Sequence, residues 1–350
     1  MSSRFTRLRL ALSLGTLVLG AGCGATSTDE PRESTREFEL PISEGYLDDE
    51  DTAVVGIYAA SFGGLCTGSL IAPNLVLTAR HCVSKTNTPN GEVDCNTTSF
   101  AEPGPANTFL VTTKPSLTED LADYHKAREV VLVPDGDKLC GQDMALLILA
   151  DNIAPSEATP LVPRIDEPLD KGEEYYAVGY GAVNDEGAGA GTRRRRDDLF
   201  ISCVADACPA FTTKPTEWGG DEGVCQGDSG GPAFDLDGRV IGVTSRGSLG
   251  CGSPVYGYVH AWSDWVKETA KHAAQIGEYT PPAWVNGTPT DPAYVPPADE
   301  AVEEQDSALT AGDESGSCSM KTEPTQPMPW RAVIPFGLGL VALGRRRRVR

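Results

Sequence analysis

Apolar runs in this chain are short and soon broken: AVVGIY at 53–58, YYAVGYG at 175–181 and GRVIGVTS at 238–245 each give way to turn residues within a few positions. Runs of that length, rich in β-branched and aromatic residues and bounded by glycine, proline or aspartate, form strands that pair through tight turns. With 38 glycines and 26 prolines along 350 residues, the pattern reads as an antiparallel all-β domain. Such β domains of ~200–250 residues commonly stand alone, which leaves material here for a tail at each end. No internal repeat is evident.

Ten cysteines are present; Cys23 and Cys318 fall in the tails, and eight remain inside the domain. An even number in an exported chain reads as a disulfide framework, so four cross-links can close. Zinc is the competing reading, but there is no CxxC pair and there are only four histidines. EF-hand calcium patterns are also lacking, so neither metal nor other cofactor is expected. Fifty acidic against 29 basic residues, a formal charge of −21, give no electrostatic footprint for nucleic acid and suit a solvated surface outside the cell.

The segment CQGDSGGP at 225–232 places Ser229 on a glycine-rich turn. A hydroxyl is a weak nucleophile near neutral pH and needs a base and a group that orients the base. Upstream, LVLTARHC at 75–82 carries His81, and GQDMALLIL at 141–149 carries Asp143 just ahead of an apolar strand. Their order along the chain is His81, Asp143, Ser229.

That order and those three contexts resemble the chymotrypsin and trypsin family of serine endopeptidases, over about Ile42 to Ala274. The resemblance implies two six-stranded antiparallel β-barrels followed by a C-terminal helix, here AWSDWVKETAKHAAQIG at 261–277. It implies Ser229 as acyl nucleophile, His81 as base and Asp143 as the partner that fixes the imidazole tautomer. The N–H groups of Gly227 and Ser229 would form the oxyanion hole. Cys66–Cys82 and Cys225–Cys251 would be disulfides; Cys203–Cys208 and Cys95–Cys140 are then left over, a pairing that no matched family position fixes. Asp228 would pair with a new α-amino group at Ile42, and a protein or peptide would be the substrate of a monomer.

Departures from the family pattern carry information of their own. Pro41 precedes Ile42 where a basic residue is usual, so tryptic self-activation is not expected. Gly223, six residues before the nucleophile, stands where an aspartate would select Arg or Lys. With Ser245, Arg246 and Gly247 as the substrate-backbone strand, a neutral or apolar side chain is the expected preference, although Asp221 and Glu222 are near enough to lend charge. Arg246 replaces a customary aromatic residue and can cap the pocket or point to water. Arg80 replaces a customary alanine and must reach water or an acid. The stretch NDEGAGAGTRRRRDD at 184–198 reads as an exposed, charged, nickable loop.

Both ends point outward from the cell. Arg4, Arg7 and Arg9 precede an apolar core from Leu10 to Gly20 that is too short to span a membrane, so residues 1–23 read as an export signal. LGAGC at 19–23 resembles a bacterial lipoprotein box, leaving acylation of Cys23 and simple cleavage nearby both open. Residues 24–41 would be a propeptide or linker, 42–277 the domain, and 278–317 a Pro- and acid-rich stalk. The remainder, 318–350, combines Cys318, AVIPFGLGLVALG at 332–344 and RRRR at 345–348. It resembles the myxobacterial C-terminal sorting signal, which implies a sorting protease acting at Cys318 and display on the surface or outer membrane of a Gram-negative bacterium. Contact with the membrane is expected only through these terminal signals. From a different class, an inactive protease-like binding or adhesion domain on a stalk remains the alternative.

Overall fold

Fifteen strands and one α-helix follow one another in a computed structural model that describes residues 45–88, 92–184, 187–248 and 251–286. In chain order they are β1 (Tyr46–Leu47), β2 (Val54–Ala59), β3 (Gly64–Ala72), β4 (Leu75–Thr78), β5 (Ser84–Thr86), β6 (Phe100–Pro103), β7 (Phe109–Thr112) and β8 (His125–Leu132). After them come β9 (Ala145–Leu149), β10 (Glu174–Gly179), β11 (Arg194–Val204), β12 (Glu217–Gly220), β13 (Pro232–Phe234), β14 (Val240–Ser248), β15 (Gly252–Tyr258) and α1 (Ser263–Gly277). The segments read as an export signal, a propeptide and a C-terminal sorting signal, with Cys23, Ile42 and Cys318, lie outside the described residues.

Strands β2-β3-β4-β9-β8-β7 close into one antiparallel barrel. The second runs β11-β10-β13-β14-β15-β12 and closes through β11–β12, with β1 added on the outside of β11. Two six-stranded barrels and a C-terminal helix are therefore the architecture. In β4 (LVLT) and β9 (ALLIL) every residue is buried, because these paired strands are covered on both faces. Aromatic rings fill the second barrel: Trp218 stacks on Tyr256 at 4.1 Å between centroids, and Tyr175 meets Trp218 edge-on at 5.1 Å.

Helix α1 turns Val266, Ala270 and Ala273, one helical stripe, into the same core as the first barrel. Asn74 Nδ2 donates to the Ala273 carbonyl at 3.1 Å and ties the helix down. Packing continues past the expected end of the domain. Trp284 and Val285 are buried in that core, and Tyr279 donates to Asn74 Oδ1 at 2.7 Å, so residues 278–286 belong to the domain and not to a stalk. One tryptophan and one valine suffice when a finished core offers them a seat.

The arginine run also departs from expectation. Arg194 begins β11, and the Arg193 side chain is fully buried. Its guanidinium donates to Asp48 Oδ2 at 3.0 Å and to the Val54 and Thr113 carbonyls at 3.1 Å each. Arg195 lies over the Tyr176 ring at 3.7 Å and pairs with Asp197 at 2.7 Å. The acceptors come from positions far away in sequence, so the local reading of an exposed loop could not see them.

Four disulfides join Cys66 to Cys82, Cys95 to Cys140, Cys203 to Cys208 and Cys225 to Cys251.

Candidate active site

The end of β4 delivers the chain into a single tight turn, Arg80–Cys82, and the disulfide from Cys82 to Cys66 in β3 holds that turn against its barrel. His81 points from it toward Asp143, two residues ahead of β9. The imidazole Nδ1 lies 2.8 Å from Asp143 Oδ2, and the His81 backbone N–H donates to Asp143 Oδ1 at 2.9 Å. Ser245 Oγ donates to the same Oδ2 at 2.6 Å. Burial alone would raise the Asp143 carboxyl, but the imidazole charge and these hydrogen bonds outweigh it and hold the group below its ordinary value. Burial pulls His81 down; Asp143 outweighs that and holds it above its ordinary value, while the Arg246 charge pulls back. A carboxylate fixed by three donors therefore presents an imidazole in one orientation, Nδ1 toward the acid and Nε2 outward.

Ser229 sits between β12 and β13 on a turn fastened from both barrels. Gly230 N–H donates to Thr244 O at 2.7 Å and Thr244 N–H to Gly231 O at 2.8 Å, which staples the turn to β14. From the other barrel, Thr67 N–H donates to Ser229 O at 2.8 Å, and Thr67 Oγ1 donates to Gly227 O at 2.8 Å while accepting from Tyr180 N–H at 3.0 Å. Thr67 thus pins the turn across the barrel interface, and nothing in the sequence singled it out. The Ser229 carbonyl also lies 3.5 Å from Cys82 Sγ, beside His81. Among the described residues no hydrogen bond joins Ser229 to His81; in free enzymes such contacts commonly tighten only around a substrate.

Gly227 has φ +100°, a conformation open to glycine, and this turns the peptide so that its N–H and that of Ser229 have no acceptor among the described residues. Below the turn, the Asp228 carboxylate is buried, accepting from Gly181 N–H and Cys225 N–H at 2.8 Å each. Burial pushes this carboxyl up to about 7, against the pull of those two donors and of Arg194. A Cβ on Gly181 would overlap the carboxylate, 2.6 Å from Oδ1. Residue 181 therefore has to be glycine for Asp228 to be housed.

Beside Ser229 opens a cleft of about 200 Å³, lined by Val224 to Gln226, Thr244 to Ser248 and Cys251. Ser245, Arg246 and Gly247 are on that wall. Gly223 is not: it packs against Arg196 and Leu199, and Val224 takes the lining position. Asp221 turns its carboxylate to the Phe200 N–H at 2.9 Å. Arg246 neither caps the cleft nor points to water, but forms a two-pronged pair with Glu217 at 2.6 and 2.8 Å. Arg80 likewise turns inward, donating to Gly136 O at 2.8 Å with its guanidinium 4.6 Å from the centre of the Phe100 ring.

Two six-stranded barrels with an acid, a histidine and a glycine-flanked serine gathered at their junction define a class, and the chain matches the trypsin family over residues 48–266 and belongs to it. Among relatives, human kallikrein-2 is 30% identical over 225 residues, covering 58% of this chain and 79% of its own. The mouse kallikrein 1-related peptidase b27 is 29% identical over 225 residues, covering 59% and 80%. Among solved structures, human heparin binding protein aligns with a TM-score of 0.48 at 19% identity, over 64% of this chain and 94% of its own.

Proposed function

We propose that this chain is a serine endopeptidase that hydrolyses peptide bonds through an acyl-enzyme. The observation that carries the reading is the Asp143–His81 pair, 2.8 Å across and backed by Ser245, at a junction that also holds Ser229. Ser229 attacks the scissile carbonyl as His81 Nε2 accepts its proton; the negative charge that forms on oxygen is met by the N–H groups of Gly227 and Ser229. His81 then protonates the leaving amine, and water repeats the sequence to release the acid. Family membership implies protein or peptide substrates, and the cleft beside Ser229, whose charged lining residue Arg246 is already paired with Glu217, favours a neutral or apolar residue at the cleavage site.

Asp228 serves as the seat for the α-amino group of Ile42. Support comes from the Asp228 carboxylate itself, which is fully enclosed with two backbone donors and the charge of Arg194 set against its burial. The protein is exported, acts as a monomer and is displayed at the cell surface after processing at Cys318, with the −21 charge suited to that exposure. A fluorophosphonate probe tests the central reading: covalent labelling of wild type, lost in Ser229→Ala, is expected, whereas a folded, processed and unlabelled wild type would favour a binding domain.

A further inference from the structure

Glu217 and Arg246 form a buried ion pair that the reaction scheme above does not require. Only 2% of the Glu217 side chain and 13% of the Arg246 side chain are exposed. Removing two charges from water is costly, and a pair of this kind is weak evidence for stability alone. Its connections indicate another role. Glu217 Oε1 accepts from Arg246 Nη1 at 2.6 Å and from Gly141 N–H at 2.7 Å; Oε2 accepts from Arg246 Nη2 and from Lys214 N–H, both at 2.8 Å. Thr216 Oγ1 donates to the Gly141 carbonyl at 2.6 Å, so Gly141, two residues ahead of Asp143, is held through both its N–H and its carbonyl. Arg246 Nη1 also donates to Ser245 Oγ at 3.1 Å, and Ser245 in turn donates to Asp143 Oδ2. The pair therefore reaches Asp143 by two routes, through Ser245 and through the Gly141 turn.

We propose that the Arg246–Glu217 pair is a positioning and charge-setting element for the catalytic histidine: it fixes Asp143 from both sides and places a neutralised guanidinium beside His81. This rests on the endopeptidase reading. The charged groups around His81 are Arg80 on its own turn, with Asp137 and Glu102 beside that arginine, Asp143 ahead of β9, Arg246 on β14 and Glu217 on β12. Lys85 on β5 lies over the Phe62 ring, and Asp228 faces Arg194 beneath the nucleophile turn. Of these, the Arg246–Glu217 pair alone both hydrogen-bonds into the Asp143 support and can be unbalanced from either side without touching the acid.

The test exploits that symmetry. Arg246→Gln leaves an uncompensated carboxylate, so His81 holds its proton to higher pH; Glu217→Gln leaves an uncompensated cation, so His81 releases it at lower pH. The acid limb of kcat/KM is expected to move in opposite directions by about half a pH unit or more, and the double variant to fall between them. Arg246→Lys keeps the charge without the two-pronged geometry, so its acid limb stays in place while kcat falls between about tenfold and a hundredfold. NMR titration of the His81 ring in a Ser229→Ala background, assigned with His81→Gln, reads the same shifts without turnover. Shifts of one sign in both variants, or none, would overturn the proposal. Should Glu217→Gln not fold, equal acid limbs for Arg246→Gln and Arg246→Lys would overturn it as well. A wild type inert to substrates whose His81 still shifts as stated would refute the endopeptidase reading and leave only the coupling of the pair to the His81 imidazole.

Discussion

Asp228 offers the sharpest thermodynamic test of the proposed seat for the Ile42 amine. Its carboxyl is buried with two backbone donors, and burial raises it from 3.8 to about 7. At ~1.4 kcal/mol per pH unit, a rise of that size amounts to about 4 kcal/mol. In the form whose Ile42 amine is not free, the folded state between about pH 4 and pH 7 keeps a proton that the unfolded chain has lost. Stability therefore falls as pH rises, by about 1.4 kcal/mol per unit across that window, and levels off above it. Asp228→Asn cannot ionise and removes this slope. When the chain is cut to begin at Ile42, the docked amine stabilises the carboxylate and the slope vanishes in the wild type too. The assay is urea denaturation from pH 4 to 8 on a Ser229→Ala background, cut and uncut, with and without Asp228→Asn; other carboxylates cancel in the comparison. Superimposable pH dependence with and without the Asp228→Asn substitution in the uncut form would refute the buried-carboxylate argument. A slope in the uncut form that persists after Ile42 is freed would refute its pairing with Asp228.

Thr67→Val removes the donor to Gly227 O and leaves the buried Tyr180 N–H unpaired; a loss of about 1–3 kcal/mol in stability is expected, with kcat reduced more than KM is raised. Arg193→Gln strands Asp48 in the interior and should destabilise the domain by about 3–5 kcal/mol in denaturant titration without moving the acid limb of activity. Gly181→Ala, whose new Cβ would overlap the Asp228 carboxylate, should abolish fluorophosphonate labelling even where circular dichroism shows a folded β domain. Replacing Cys66 and Cys82 together by serine opens a cross-link of sequence separation 16. The loss should be about 3 kcal/mol in thermal or urea unfolding.

Local chemistry explains which of these features the sequence disclosed. Strand runs such as ALLIL and YYAVGY announce themselves because a buried strand needs nothing but consecutive apolar residues. His81, Asp143 and Ser229 stand out because each lies in a short, distinctive context. The residues that hold them in place do not share that property. Thr67 is an ordinary threonine until β3 meets the Ser229 turn, and Glu217 is one acid among fifty until Arg246, 29 positions later, is folded against it. The arginine run reads as a solvated loop for the same cause, since a buried cation is stabilised by acceptors, and Asp48, Val54 and Thr113 are supplied by distant segments. A motif records which atoms react, whereas the field and rigidity around those atoms come from pairings between distant segments. In this domain those pairings converge on two points, Thr67 beneath the Ser229 turn and Glu217 behind Asp143. Each couples a different element to the junction of the barrels: Thr67 ties β3 to the Ser229 turn, and Glu217 ties β12 to the turn ahead of Asp143.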